Sequence, residues 1–443
     1  MGMFSRKDMV RLFGPLLVEQ LLAVLVGMAD VVMVAAVGET AVSGVALVDS
    51  ISVLVIQVLS AMATGGAVVC AQYIGKKRQD QACRAAGQLV LITAVLSLLI
   101  ASAAFIGNRH LLRLIFGSVE AEVMDNAATY FWFTAMSYPF LALYNSGAAL
   151  FRSMGNSKVS MKVSLAMNVI NVAGNALCVF GLRMGVEGVA IPTLLSRMFA
   201  AVVMVLLVRS PKNSIRVNRL SQLIPQPDMI KKILSVGIPS GLENGMFQFG
   251  KIALQSLVST LGTAAIAANA VANTVSSIST LPGTTISIAM TPVVGRCLGA
   301  GDKKQAHRYA RLLMLVACGG LAVFNLVLYA VIPEITQLFS LSAAATESCI
   351  QVVRVFNIVS VFFWGTSFTL PNALRSGGDA RFTMAVSILS MWLFRVVCSY
   401  VLVLGFHAGL LGVWIGMFID WICRSICFVV RFKSGRWTEH KVI

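Results

Sequence analysis

The sequence predicts an all-α polytopic membrane protein: twelve transmembrane helices in two pseudo-symmetric six-helix lobes around a central cavity. Three observations predict it. Of the 443 residues, 58% are hydrophobic and 12% charged, whereas a soluble domain carries about 25% charged residues to cover its surface. The apolar residues gather in twelve runs, each able to supply the roughly 20 residues that cross a hydrocarbon core. The chain also resembles itself at a fixed displacement, the mark of a repeat.

The runs lie near 14–37, 45–73, 86–107, 123–151, 160–181, 186–208, 231–260, 265–298, 309–333, 346–374, 382–405 and 409–431. The first follows "MGMFSRKDMVRLFGP", which is basic but lacks a short apolar core ending in a small-residue cleavage site, so it is expected to be kept as a span. Orientation follows from charge. With the first residue inside, 28 of the 35 Lys and Arg fall in inside segments, among them Lys76, Lys77, Arg84, Arg152, Arg308, Arg375 and the tail from Arg424. Most loop acids, such as Glu39, Glu120, Asp125 and Glu347, fall outside. Lys and Arg are retained on the cytoplasmic side, so both termini are expected there. Such short bursts between apolar runs also exclude a nucleic-acid face, which needs a continuous basic surface. The nine cysteines show no CxxC and no metal-ligand spacing, and read as small buried hydrophobes.

The most polar connection, "RSPKNSIRVNRLSQLIPQPDMIKK" over 209–232, splits the chain into a lobe at 1–208, a cytoplasmic linker at 209–230 and a lobe at 231–443. The displacement that carries Pro15 onto Pro239 also lays Glu19 over Glu243, Gly38 over Gly262, and Gln81, Ala82 and Arg84 over Gln305, Ala306 and Arg308. After the fourth span of each half, "FRSMGNSKVSM" (151–161) lies over "LRSGGDARFTM" (374–384) with one residue slipped. An even number of spans per half relates the halves by an axis along the membrane normal, with a cavity expected between them.

Taken together in register, "GP…D" in the first span, "GNSK" and "GGDAR" after the fourth and tenth, "GVEGVAIPT" (185–193) and "LGTAAIAANAV" resemble the MATE family, multidrug and toxic compound extrusion transporters, over essentially the whole chain. The resemblance implies an antiporter that exports organic compounds from the cytoplasm, driven by inward movement of Na+ or H+ and needing no other cofactor. It implies small organic substrates, cationic amphiphiles among them, and a monomeric, multi-pass protein of the plasma (inner) membrane. The family's N-lobe cation site falls on Asp30, which keeps the family's spacing after Pro15, on Asn171 and Asn175, and on Thr193. The family carries an acid where this chain has Asn175.

The residues themselves point the same way. Asn171 and Asn175, four apart, share a helix face, with Asn168 one turn earlier. Amide, hydroxyl and carboxylate oxygens suit a hard cation, so Asp30, Asn171, Asn175, Thr193 and Asn168 are the candidate cation ligands, Na+ being the metal they would hold. A protonated Asp30 is the other choice, and the residues leave both open. A charge inside a span is a functional candidate by default, and otherwise a member of a structural pair. Glu243, Lys251, Arg395 and Phe247 are the candidate substrate or cavity residues. Phe247 occupies a position where some family members have an acid, and Glu243 either covers for it or pairs with Arg395 or Lys251. Glu19 and Asp49 read as capping or snorkelling residues near span ends, and Asp420 and Arg197 as structural contacts. Arg395 is the repeat position of Asn171, a cation where the first half has a ligand.

Lys251 and Arg395 also support an alternative: a flippase or exporter of lipid-linked or anionic substrates with the same two-lobe architecture. An enzyme is not expected. The chain has no HExxH, no GxSxG and no paired catalytic carboxylates, and its four histidines (His110, His307, His407, His440) are assigned to loops or tails.

Overall fold

A computed structural model describes residues 3–117, 120–339, 341–440 and 442–443, and among them helix is the only regular secondary structure. The first six spans are α1 Arg6–Ala35, α2 Glu39–Gly75, α3 Gln79–Phe116, α4 Ala121–Ser153, α5 Ser157–Ala176 and α6 Glu187–Val208. The second six comprise α7 Pro227–Ser259, α8 Thr263–Ser279, α9 Leu281–Gly299, α10 Lys303–Gln337, α11 Ala343–Trp364, α12 Leu370–Ser376, α13 Ala380–Ser390, α14 Cys398–Tyr400 and α15 Gly409–Lys433. Among the described residues, wide π turns interrupt them at Leu177–Gly181, Gly365–Thr369, Met391–Val397 and Val401–Gly405.

Nine helices among the described residues are long and apolar enough to cross a membrane. The other three expected spans are helical too, as α4, as α7 and as α8 with α9. Of these, α7 carries Glu243, Asn244, Gln248 and Lys251, and the third is divided into α8 of 17 residues and α9 of 19. The run at 265–298, expected as one helix, is broken at Thr280 between α8 and α9. Pro282 cannot donate to a preceding turn and its ring crowds it. The Thr280 hydroxyl meanwhile folds back onto the Ser276 carbonyl at 3.1 Å.

The repeat is written into the backbone. Left-handed φ occurs at Gly38 and Gly262, at Lys77 and Gly301, at Gly155 and Gly378, and at Arg183 and His407. Gly38 and Gly262 are the N-caps of α2 and α8, and the other three pairs follow matching helix ends. Three of the pairs keep the displacement from Pro15 to Pro239 in full, and Gly155 with Gly378 falls one short of it, which is the slip seen in the sequence. The π turns Leu177–Gly181 and Val401–Gly405 keep it as well. Met391–Val397 has no π counterpart in α5, which runs unbroken through the matching stretch.

By packing the chain divides into two compact units, Phe4–Gly241 and Leu242–Ile443 with Met3. The division falls inside α7, so the linker and the first turns of that helix belong with the first unit. In that unit α4 is central, packing on α2, α3 and α6. Small residues permit the approach: a Cβ on Gly147 would collide with the Met204 side chain, and one on Gly44 would lie 2.8 Å from the Ala127 backbone nitrogen. Apolar attraction between helices is weak in lipid, so backbone proximity and polar contacts carry the association. The linker is tied down by Gln88 of α3, which donates to the Gln222 and Ile224 carbonyls at 2.9 and 2.8 Å and accepts from Gln226 N–H at 2.9 Å. In the second unit Phe356 is wedged edge-on between Trp414 and Trp421, at 5.6 and 5.5 Å between ring centres.

Each unit carries an equivalent internal ion pair. Glu19 of α1 is buried and accepts from Arg152 at the end of α4, and from Ser160 Oγ of α5 at 3.0 Å. Glu243 of α7 pairs with Arg375 of α12 at 2.7 Å. Glu19 is therefore neither a cap nor a snorkelling acid. It joins α1, α4 and α5 inside the unit, a geometry that keeps a buried carboxylate compensated.

Candidate functional site

The first unit brings four of the predicted ligands into one chain of hydrogen bonds. α1 delivers Asp30, α5 delivers Asn171 and Asn175 on one face, and α6 delivers Thr193. Asn175 Nδ2 donates to Asp30 Oδ1 at 2.9 Å and to Asn171 Oδ1 at 3.3 Å. Asn171 Nδ2 donates to Thr193 Oγ1 at 2.9 Å, and the Thr193 hydroxyl donates to the Val189 carbonyl at 2.8 Å. Asn171 and Asn175 are buried, Asp30 and Thr193 half-buried. Asn168, half-buried one turn before Asn171, takes no part in this chain.

Two of the three helices owe their placement here to a local feature. Asn175 sits in the last turn of α5, directly before the π turn Leu177–Gly181, where the helix opens. Gly174 lets α6 approach, since a Cβ there would lie 2.7 Å from Pro192 Cβ, and Pro192 immediately precedes Thr193. One atom is left over: Asn175 Oδ1 is buried without a hydrogen-bond partner. An orphaned acceptor beside a carboxylate calls for a donor or a cation. The oxygens gathered here, from Asp30, Asn171, Asn175 and Thr193, are of the hard type that Na+ takes. Among the described residues there is no cluster of three or more His, Cys, Asp or Glu side chains suited to a transition metal.

Arg197, one turn after Thr193, donates to Ser137 Oγ at 2.6 Å. Asp420 has different partners: it accepts from Ser390 and faces Arg395 at 3.9 Å and Arg424 at 4.0 Å. The contacts of each residue lie within its own unit.

The candidate residues of the second unit also come together, around Phe247. The Lys251 ammonium lies 5.2 Å from that ring's centre, the Arg395 guanidinium 5.1 Å and the Arg424 guanidinium 5.8 Å. The partners of Glu243 differ from those expected. They are Arg375 at 2.7 Å and Arg424 at 3.6 Å, while Lys251 stands over Phe247 and Arg395 faces Asp420. Arg424, counted among the cytoplasmic tail charges, is a buried residue of α15, 2% exposed. Its signal in the sequence was its spacing: Asp420 and Arg424 are four apart, a helical ion-pair distance, inside an apolar run.

The two repeats, the helical spans and the polar chain inside the first unit define a two-repeat polytopic membrane protein of the transporter type. The MatE family model matches residues 15–177 and again 239–401, two copies at the displacement of the repeat. The chain belongs to the MatE family. It is 27% identical to the probable multidrug resistance protein NorM of Thermotoga maritima, covering 99% of this chain and 94% of that protein. It is 24% identical to the transporter YisQ of Bacillus subtilis, covering 96% and 93%. Among solved structures, the outward-facing conformation of a multidrug resistance MATE family transporter matches with a TM-score of 0.87 at 21% identity, over 97% of this chain and 95% of that one. That likeness carries the twelve-span fold.

Proposed function

We propose that the chain is a cation-coupled antiporter that exports organic compounds, drugs among them, from the cytoplasm by alternating access of its two lobes, with Na+ or H+ taken up at Asp30. The observation that carries this reading is the unpaired Asn175 Oδ1 beside the Asp30 carboxylate, in a chain of oxygens joining α1, α5 and α6. A cation there is offset by one negative charge and held by neutral oxygens. Because the ligands come from three helices, an arrangement that gathers them binds the cation better than one that spreads them, and only such differential affinity can shift a conformational equilibrium. The membrane is the plasma (inner) membrane, and the Lys and Arg distribution supports placing both termini on its cytoplasmic side. The substrates are small and organic, as the multidrug names of the relatives suggest, and the protein works as a monomer.

Transport into or out of sealed proteoliposomes, with Na+ and H+ gradients imposed separately, tests the reading. One of the two gradients is expected to drive efflux of a lipophilic cation dye. Asp30→Asn is expected to lower that gradient-driven rate at least tenfold, which corresponds to about 1.4 kcal/mol of activation free energy. Unchanged efflux in the variant would sink the assignment.

A further inference from the structure

The interior of the second unit holds more positive charge than its acids match. Arg424 and Arg395 are 2% and 8% exposed, Arg375 stands beside them through Glu243, and Lys251 lies at the open side of the same cluster. Against these four cations stand two carboxylates, Glu243 and Asp420. Glu243 is occupied by Arg375 and Arg424. Asp420 is engaged by Ser390, and its Oδ2 stands 3.9 Å from Arg395 Nη1 and 4.0 Å from Arg424 Nη1, beyond hydrogen-bond reach of either. The two Nη1 groups thus approach a common point without closing on it.

The atoms left unpartnered are mostly donors. Nε and Nη1 of Arg395, Nε and Nη1 of Arg424, Nε of Arg375 and the indole nitrogens of Trp392 and Trp421 are buried with no hydrogen-bond partner, against two acceptors in the same state, Asp420 Oδ2 and the Glu243 Oε2 that Arg375 holds only as an ion pair. A buried guanidinium with idle donors is costly, and so is the mutual repulsion of three cations gathered within 5.8 Å of one ring centre. Water could accept from the donors but leaves the charge uncompensated. A carboxylate or phosphate group supplies acceptors and negative charge together, and arginine suits both geometrically.

The aromatic surroundings add an apolar wall. Phe247 and Phe368 are half-buried, with ring centres 6.2 Å apart, and Arg424 lies 4.8 Å over the Phe368 ring. Arg395 itself sits in the π turn Met391–Val397, an irregularity that turns up frequently at functional sites. We infer that Arg395 and Arg424, with Lys251 at the open side, form a binding site for the anionic head of an amphipathic molecule, a carboxylate or a phosphate, whose apolar part lies against Phe247 and Phe368. The site belongs to the second unit alone and does not depend on Asp30.

The test is binding to the full-length protein in a neutral detergent, read by quenching of tryptophan fluorescence. The probes are 2-naphthaleneacetate and its uncharged amide. The acid is expected to bind saturably and the amide at least tenfold more weakly. Arg395→Gln is expected to weaken the acid at least tenfold, and Lys251→Gln, at an exposed position, at least threefold. Asp30→Asn should leave this binding unchanged, so the coupling site and the anion site fail separately. Repeating the titration in phosphatidylcholine nanodiscs with and without phosphatidylglycerol distinguishes the sources. Competition by the anionic lipid assigns the site to a lipid headgroup, and its absence assigns it to a soluble organic acid. Equal binding of acid and amide, or an unchanged affinity in Lys251→Gln, would overturn the inference. Should Arg395→Gln fail to fold, the lysine variant and the acid-to-amide ratio still decide it.

Discussion

Asn175 offers both its amide hydrogens, to Asp30 and to Asn171, and keeps its own oxygen unpaired. The oxygen is thus committed to whatever enters the site. Asn175→Asp would put a second carboxylate there and double the local negative charge, which favours a bound cation. The concentration of Na+ that half-saturates efflux is expected to fall at least threefold if Na+ is the coupling ion, and an unchanged value would separate Asn175 from the ion. A second residue-level prediction comes from the repeat. Lys77 holds φ +58 where its counterpart Gly301 holds φ +79, and a left-handed conformation costs a side chain about 1 kcal/mol. Lys77→Gly is expected to raise thermal stability in detergent by about that amount. At this scale the sequence was informative where spacing is local: Asn171 and Asn175 share a face of α5 as their positions imply, whereas Asp30 was placed beside them by the family resemblance. Asn168 shares their stripe and yet stays outside, because periodicity names a face and not the depth to which a residue reaches the neighbouring helix.

Among the elements, the linker shows how much a loop can be bound to a helix. A Cβ on Gly87 of α3 would collide with the Gln222 carbonyl, so Gly87→Ala must push the linker away. The Gln88 hydrogen bonds next to it would then break. Limited proteolysis is expected to cut within 209–226 several-fold faster in that variant, with transport spans intact. Helix boundaries were only partly readable. The break at Thr280 lay in plain sight at Pro282, but the unbroken apolar run over 265–298 concealed it. The π turns were not readable from hydropathy, since widening a turn by one residue leaves the apolar pattern of the run untouched.

For the whole molecule, the two ion pairs Glu19 with Arg152 and Glu243 with Arg375 set a common plan, each tying the first helix of a repeat to the end of its fourth span. Removing one partner leaves an uncompensated buried charge, which costs about 3–5 kcal/mol, whereas removing both is far milder. Glu19→Gln is expected to lower the melting temperature markedly, and Glu19→Gln with Arg152→Gln to recover much of the loss. Glu243→Gln should cost more than Glu19→Gln, because it also releases Arg424 into a region already rich in cations. The repeat itself was legible in the sequence, for it rests on loop residues and glycines in register. The partners of Glu243 were not, because contacts between helices distant in the chain are set by packing.

The unmatched π turn at Met391–Val397 has an arithmetical meaning. α5 and α13 begin at Ser157 and Ala380, one position short of the displacement from Pro15 to Pro239, while the π turns that follow them, Leu177–Gly181 and Val401–Gly405, keep that displacement in full. The second copy therefore holds one additional residue in between, and the helix has swallowed it by widening. Counted from the start of the helix, the counterpart of Asn171 is Phe394; counted from its end, it is Arg395. The two copies differ here by an insertion as well as by exchanged side chains. Replacing Arg395 by asparagine would not rebuild the first copy's amide pair, because the frame that aims it has been shifted by a residue.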